Sequence, residues 1–193
     1  MLRPGRLLPI LAAILVALAS SLPAGAAGTR NVLHYGDSLA VGTDLYLDGY
    51  LRGWTVDSAT AIGRHASDVP PALRALGSAL PRVLVVSVGT NDDPGRVAGF
   101  ARIVRETVSL VGPSRCVVWS TIARPPYQGV SYAAYNRVLR AAARRHANLR
   151  VLDWAAMAHA HPAWFGPDGV HPTTAGYRAR ASATARLVER CGR

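Results

Sequence analysis

Five short apolar runs, separated by longer segments of helical periodicity, set the pattern of this chain. Val32, Leu33 and Tyr35 make the first run, and Gly36 ends it. Residues 54–59 alternate and predict a second strand, which runs into the glycine-bearing loop Ala61-Ile62-Gly63-Arg64. Residues 83–88 (Val-Leu-Val-Val-Ser-Val) are β-branched with almost no polar relief, as expected of a strand covered on both faces. Residues 116–122 and 149–153 predict the fourth and fifth strands. Between the strands, residues 39–52 predict a helix loosened by Gly42 and Gly49. Residues 67–79 predict another, capped by Ser67, with Val69, Leu73, Leu76 and Leu80 on one face. Val97, Phe100, Val104, Val108 and Val111 stripe a helix over 96–111. Tyr135, Val138, Leu139 and Ala142 do so over 131–147, and 173–190 predicts the last helix. A proline-stiffened loop spans 123–129, and the stretch holding Trp154, Trp164 and Phe165 reads as an aromatic loop. Strands alternating with helices at this spacing imply right-handed βαβ crossovers and a parallel sheet in a three-layer α/β sandwich.

Residues 1–27 do not fit that pattern. Arg3 and Arg6 precede an apolar core over 7–19, and Ala24-Gly25-Ala26 fits a cleavage site, so this segment is expected to be a signal peptide. An uncleaved anchor is the alternative; both readings imply export. Residues 28–193 then suffice for a single domain. Loss of Arg3 and Arg6 lowers the formal charge from +11 to +9. Every basic residue other than histidine is arginine, scattered rather than interleaved with aromatics, which argues against a nucleic-acid partner. Electrostatic association with an anionic cell envelope is the better expectation.

Polar signals sit where strands end, the place where parallel α/β sheets carry their sites. Ser38 follows the first strand, Gly63 the second, Asn91 the third, and Asp168 with His171 the fifth. Asp37 and Ser38 taken alone read first as an ordinary helix cap. Together with the other signals, Ser38 becomes a nucleophile, His171 its base, and Asp168 the carboxylate that orients the imidazole. The N–H groups of Ser38 and Gly63 and the amide of Asn91 are the candidate oxyanion donors.

These residues carry a resemblance. Gly36-Asp37-Ser38, Gly63, Gly89-Thr90-Asn91-Asp92 and Asp168-Gly169-Val170-His171 resemble the four blocks of the SGNH (GDSL-type) hydrolase superfamily, in order across the exported domain. The first block departs in Leu33-His34-Tyr35, where small apolar residues are more usual. The resemblance implies a flavodoxin-like five-stranded parallel sheet of order 2-1-3-4-5, the roles just given, and acyl chemistry with no cofactor or metal. The passage from Asp153 to His171 is also similar to extracellular SGNH domains of bacterial membrane acyltransferases that O-acetylate cell-wall sugars.

Other candidates remain open at this level. His34 on the first strand reads as a core histidine, and His65, His146, His159 and His161 as surface or loop residues. A metal site of His159, His161 and Asp168 is the competing use of that aspartate. Asp92 and Asp93 shape the turn after Asn91, or Asp92 orients it. Arg124 and Tyr127 either contact substrate or pack their loop, and Trp164 with Phe165 either walls a pocket or belongs to the core. In the implied fold the last helix ends at the rim where the fourth strand starts, so Cys191 is expected to bond Cys116. The expectation for function is a secreted serine esterase acting on small acyl, including acetyl, esters. An O-acyltransferase of envelope sugars and a catalytically silent envelope-binding module are the alternatives.

Overall fold

The structure, a computed structural model, describes residues 30–192; the expected signal peptide lies outside the described residues. Along the chain run β1 (Asn31–Gly36), α1 (Ser38–Tyr50), β2 (Thr55–Thr60), α2 (Val69–Leu76), β3 (Val83–Ser87) and α3 (Val97–Val111). They continue with β4 (Cys116–Ser120), α4 (Ala133–Arg145), β5 (Leu149–Leu152), α5 (Trp154–Ala160) and α6 (Thr174–Cys191). The five strands form one parallel sheet ordered β2-β1-β3-β4-β5. This is the flavodoxin-like order the motifs imply.

Alternation along the strands divides the core in two. Leu33, Tyr35, Leu84, Val86, Val117 and Trp119 join residues of α2, α3 and α4 on one face. Val32, Val83, Val85 and Val118 point the other way, to α1, α5 and α6. Every residue of β3 is buried, as its unrelieved apolar run requires. Phe100 ties the first layer together, stacked on Tyr135 at 4.0 Å and edge-on to Trp119 at 5.9 Å.

Two expectations change, and a third, the disulfide, is met. The helix read over 67–79 is an α-helix only from Val69 to Leu76, with a 3-10 turn at each end. Pro70 and Pro71 fit only its first turn, Gly77 ends it at φ 49°, and Leu76 is exposed rather than inward. The aromatic stretch after β5 is not all loop. Asp153 accepts the Ala156 N–H (3.3 Å) and nucleates α5, which the alanines between Trp154 and Ala160 then sustain. Cys116 and Cys191 form a disulfide, with 5.7 Å between Cα atoms, at the rim where the strands begin.

Candidate active site

The corner between β1 and α1 presents Ser38. Gly36 makes the corner possible, because a Cβ there would lie 2.4 Å from the Ala40 Cβ and 2.6 Å from the Ser87 carbonyl oxygen. Asp37 is fully buried; its N–H donates to the Ser87 carbonyl (2.9 Å) and its Oδ1 accepts the Leu39 N–H (3.0 Å). The capping reading of Asp37 therefore holds, and it leaves Ser38 as the first residue of α1. The Ser38 N–H has no intrahelical partner and lies at the positive end of the helix.

Asp168 and His171 come from the loop before α6. Gly166 N–H donates to the His171 carbonyl (2.8 Å) and Thr173 N–H to the Trp164 carbonyl (2.7 Å), closing the loop into a tight turn. Asp168 Oδ1 accepts the N–H groups of Val170 (2.9 Å) and His171 (3.0 Å), which leaves Oδ2 for the His171 ring at 2.6 Å from Nδ1. The hydrogen bond from His171, then the two N–H donors, hold the Asp168 carboxyl well below the usual carboxylate range. A carboxylate opposite Nδ1 places the proton there, so Nε2 carries the lone pair. Nε2 lies 2.9 Å from Ser38 Oγ. Residues 133 positions apart thus meet in hydrogen-bond contact.

Gly63 and Asn91 occupy the loops after β2 and β3, the strands flanking β1. Gly63 has φ 78°, a left-handed conformation that a side chain would strain. Asn91 Nδ2 donates to the carbonyl of Arg64 (3.1 Å), the residue after Gly63. Asp92 repeats the cross-brace, its Oδ2 accepting the Ala66 N–H (3.0 Å). From the other side, the Tyr132 hydroxyl donates to the Asp92 carbonyl (2.9 Å) and the Tyr135 hydroxyl to that of Asp93 (2.7 Å). Arg124 donates to the Thr90 carbonyl (2.5 Å). The second proton of the Asn91 amide is free to point at a ligand.

Residues 20–179 match the model of the GDSL-like lipase/acylhydrolase family. The chain belongs to that family. Its fold is shared with the C-terminal catalytic domain of peptidoglycan O-acetyltransferase A from Streptococcus pneumoniae, at TM-score 0.71 and 18% identity over 84% of this chain and 94% of that one. A lipase/acylhydrolase from Enterococcus faecalis aligns at TM-score 0.63 and 20% identity, covering 83% and 96%. The psychrotrophic esterase EstA from Pseudoalteromonas sp. aligns at 0.64 and 15%, covering 83% and 97%. No curated protein sequence matches.

Beneath the serine of this GDSL-like acylhydrolase lies a charge that the sequence reading missed. Arg180 of α6 is buried and donates to Ser87 Oγ (2.8 Å), Thr43 Oγ1 (3.0 Å) and the Leu39 carbonyl (3.4 Å). Burial pushes the Asp37 carboxyl up, and the Arg180 guanidinium pulls it back. The signal was present: Arg180 shares a helical face with Gly176 and Thr184, between the small inward residues of α6. His34 is the core histidine expected, its Nδ1 2.5 Å from Asp44 Oδ1.

A recess of about 400 Å³ opens between the β4–α4 loop and α5, reaching Gly169 of the Asp168–His171 turn. Arg124, Tyr132, His159 and Phe165 line it. Of the four residues weighed for a pocket role, Arg124 and Phe165 line this recess and Tyr127 and Trp164 do not. Tyr127 is in its own turn with Val130, and Trp164 stacks on Trp154 (5.9 Å) and His161 (4.1 Å), fixed by aromatic packing. Among the described residues no cluster of three or more His, Cys, Asp or Glu could hold a metal ion, and His159, His161 and Asp168 do not gather.

Proposed function

We propose that the protein is an exported serine esterase that cleaves small acyl esters through a covalent acyl-enzyme. The observation that carries this reading is the relay Asp168–His171–Ser38, with contacts of 2.6 and 2.9 Å. Ser38 Oγ attacks the acyl carbonyl carbon while His171 Nε2 takes the hydroxyl proton, and Asp168 stabilises the resulting imidazolium. The oxyanion of the tetrahedral intermediate accepts from the N–H of Ser38, the N–H of Gly63 and Asn91 Nδ2. Collapse breaks the C–O bond to the alcohol, which leaves with the proton from His171. Water then attacks the acyl carbonyl as His171 Nε2 takes its proton, the C–O bond to Ser38 breaks, Ser38 Oγ regains the proton from His171, and the carboxylic acid leaves. The charged n-region and apolar core within residues 1–27 support export.

Release of p-nitrophenol from its acetate ester tests the reading. Ser38→Ala should lower kcat by about ten-thousandfold or more with an unchanged melting temperature. A variant as fast as the wild type would remove Ser38 as nucleophile, and an inert wild type would favour the silent envelope-binding module. The same acyl-enzyme can give its acyl group to a sugar hydroxyl in place of water. The fold shared with a peptidoglycan O-acetyltransferase domain supports that second reading. Acylated sugar among the products, when an acceptor oligosaccharide is added, separates transfer from hydrolysis.

A further inference from the structure

At the rim where the strands begin, opposite Ser38, lies a recess of about 170 Å³. Arg82, Arg115, Arg150 and Arg190 line it together with Ser114 and Asn148, and no acidic residue does. The disulfide builds this cluster. Arg115 precedes Cys116 and Arg190 precedes Cys191, so the bond holds the start of β4 and the end of α6 together and fixes both guanidinium stems at one place.

Part of this charge has a structural use. Arg115 donates to the Leu80 (3.2 Å) and Val111 (3.3 Å) carbonyls, closing the last turn of α3. The helix C-termini at this rim also favour cations. Those uses do not account for the rest. Arg82 and Arg190 are exposed, the Arg150 Nε is buried with no hydrogen-bond partner, and none of the four is in an ion pair among the described residues. Like charges gathered in one concavity repel unless an anion joins them.

We infer that this rim binds a polyol-phosphate polymer through its phosphodiester groups, and not a nucleic acid, since among the described residues no Phe, Tyr or Trp lines this recess or the adjoining one to stack on bases. The planar guanidinium fork matches two phosphate oxygens, and Arg82, Arg150 and Arg190 bring three such forks to one recess beside the Arg115 already used by the fold. A second recess of about 300 Å³ shares Pro113 and Asn148 with the first and adds Arg105 and His146. The cationic track is therefore longer than one anion, which suits a polymer. The exposed large hydrophobic residues Leu45, Tyr50, Ile62, Leu76, Tyr127 and Val130 all lie outside both recesses, so the apolar contact that a lipid surface needs is missing. Docking here leaves the Ser38 rim, at the other end of the strands, open to substrate.

Fluorescence anisotropy with a labelled polyglycerol-phosphate chain tests the inference on the purified protein at several salt concentrations. The wild type should bind, more weakly as salt rises. The double variant R82Q/R190Q should bind about tenfold more weakly, with its salt slope reduced by about two. R102Q/R137Q removes the same charge from exposed positions on α3 and α4 and should bind like the wild type. All three should hydrolyse p-nitrophenyl acetate equally. Equal weakening in both double variants would reduce the site to net charge and overturn the inference. So would no binding of the polymer, or capture by phosphatidylglycerol vesicles in its place.

Discussion

The two ends of this sheet differ in chemistry. Where the strands finish, Asp37, Asp92, Asp93, Asp153 and Asp168 stand among Arg64, Arg96, Arg124 and the buried Arg180; where they start, Arg30, Arg82, Arg115, Arg150 and Arg190 stand with Glu189 as their acidic neighbour. One cause underlies both. Parallel strands joined by helices put helix N-termini at the first rim and C-termini at the second. The first rim therefore offers N–H donors and suits developing negative charge, and the second offers carbonyls and suits cations. The rims differ also in how they are held. Hydrogen bonds among loops hold the first, and a covalent bond holds the second. Damage to the first should thus appear in turnover, and damage to the second in stability or docking.

The disulfide gives the largest test of that separation short of deleting the serine. It closes a loop spanning a sequence separation of 75, for which the chain-entropy estimate is about 4 kcal/mol. Replacing Cys116 and Cys191 together by Ser should lower the free energy of unfolding by roughly that amount in urea titrations. Turnover per folded molecule should stay unchanged, because the bond lies at the rim away from Ser38. A fall in kcat at temperatures where the variant remains folded would show that the two rims are coupled.

Asn91→Ala should act in the opposite sense. Loss of one oxyanion donor lowers kcat by about a hundredfold to a thousandfold. KM should change little, because the donor serves the intermediate more than the ground state. Asn91 also donates to the Arg64 carbonyl, so a modest loss of stability is expected as well. If KM rises while kcat holds, Asn91 binds substrate and does not stabilise the oxyanion.

What could be read from the sequence was what is local. A mostly apolar run followed at once by Gly-Asp-Ser or Gly-Thr-Asn-Asp declares both a strand and the polar group at its end. Three such junctions place Ser38, Gly63 and Asn91 on one rim once the sheet is parallel, and the loop that opens the last helix brings His171 to the same rim. The residues that hold the site were illegible for the complementary reason. Tyr135 reads as an apolar position of a helix and Tyr132 falls at its start, and nothing near them in sequence says that their hydroxyls meet carbonyls 42 and 40 residues earlier. α5 escaped because Asp153, read as the end of a strand, is also the cap of the next helix. The arginine recess needs β3, β4, β5 and α6 to converge, and no single stretch of the chain announces it.

The smallest effect, and the finest test of how the catalytic rim is held, belongs to Asp92. Its side chain is 17% exposed, with Oδ2 accepting the Ala66 N–H and Oδ1 3.5 Å from His65 Nδ1. Burial raises its carboxyl above the ordinary value of 3.8, against the pull of the Ala66 N–H and His65. The folded protein therefore holds this proton more tightly than the unfolded chain does. Stability attributable to Asp92 then falls as pH rises from 3.8 through the raised value. Asn keeps an acceptor for Ala66 and never ionises. Asp92→Asn should equal or exceed the wild type in stability at pH 7, by up to about 1 kcal/mol, and the gap should close as the medium is made acidic. Ester turnover should remain near the wild-type rate, because the brace between the Gly63 and Asn91 loops survives. A loss of about 2 kcal/mol at pH 7 instead would mean that the ionised carboxylate, by its attraction for His65, is what holds the two loops together.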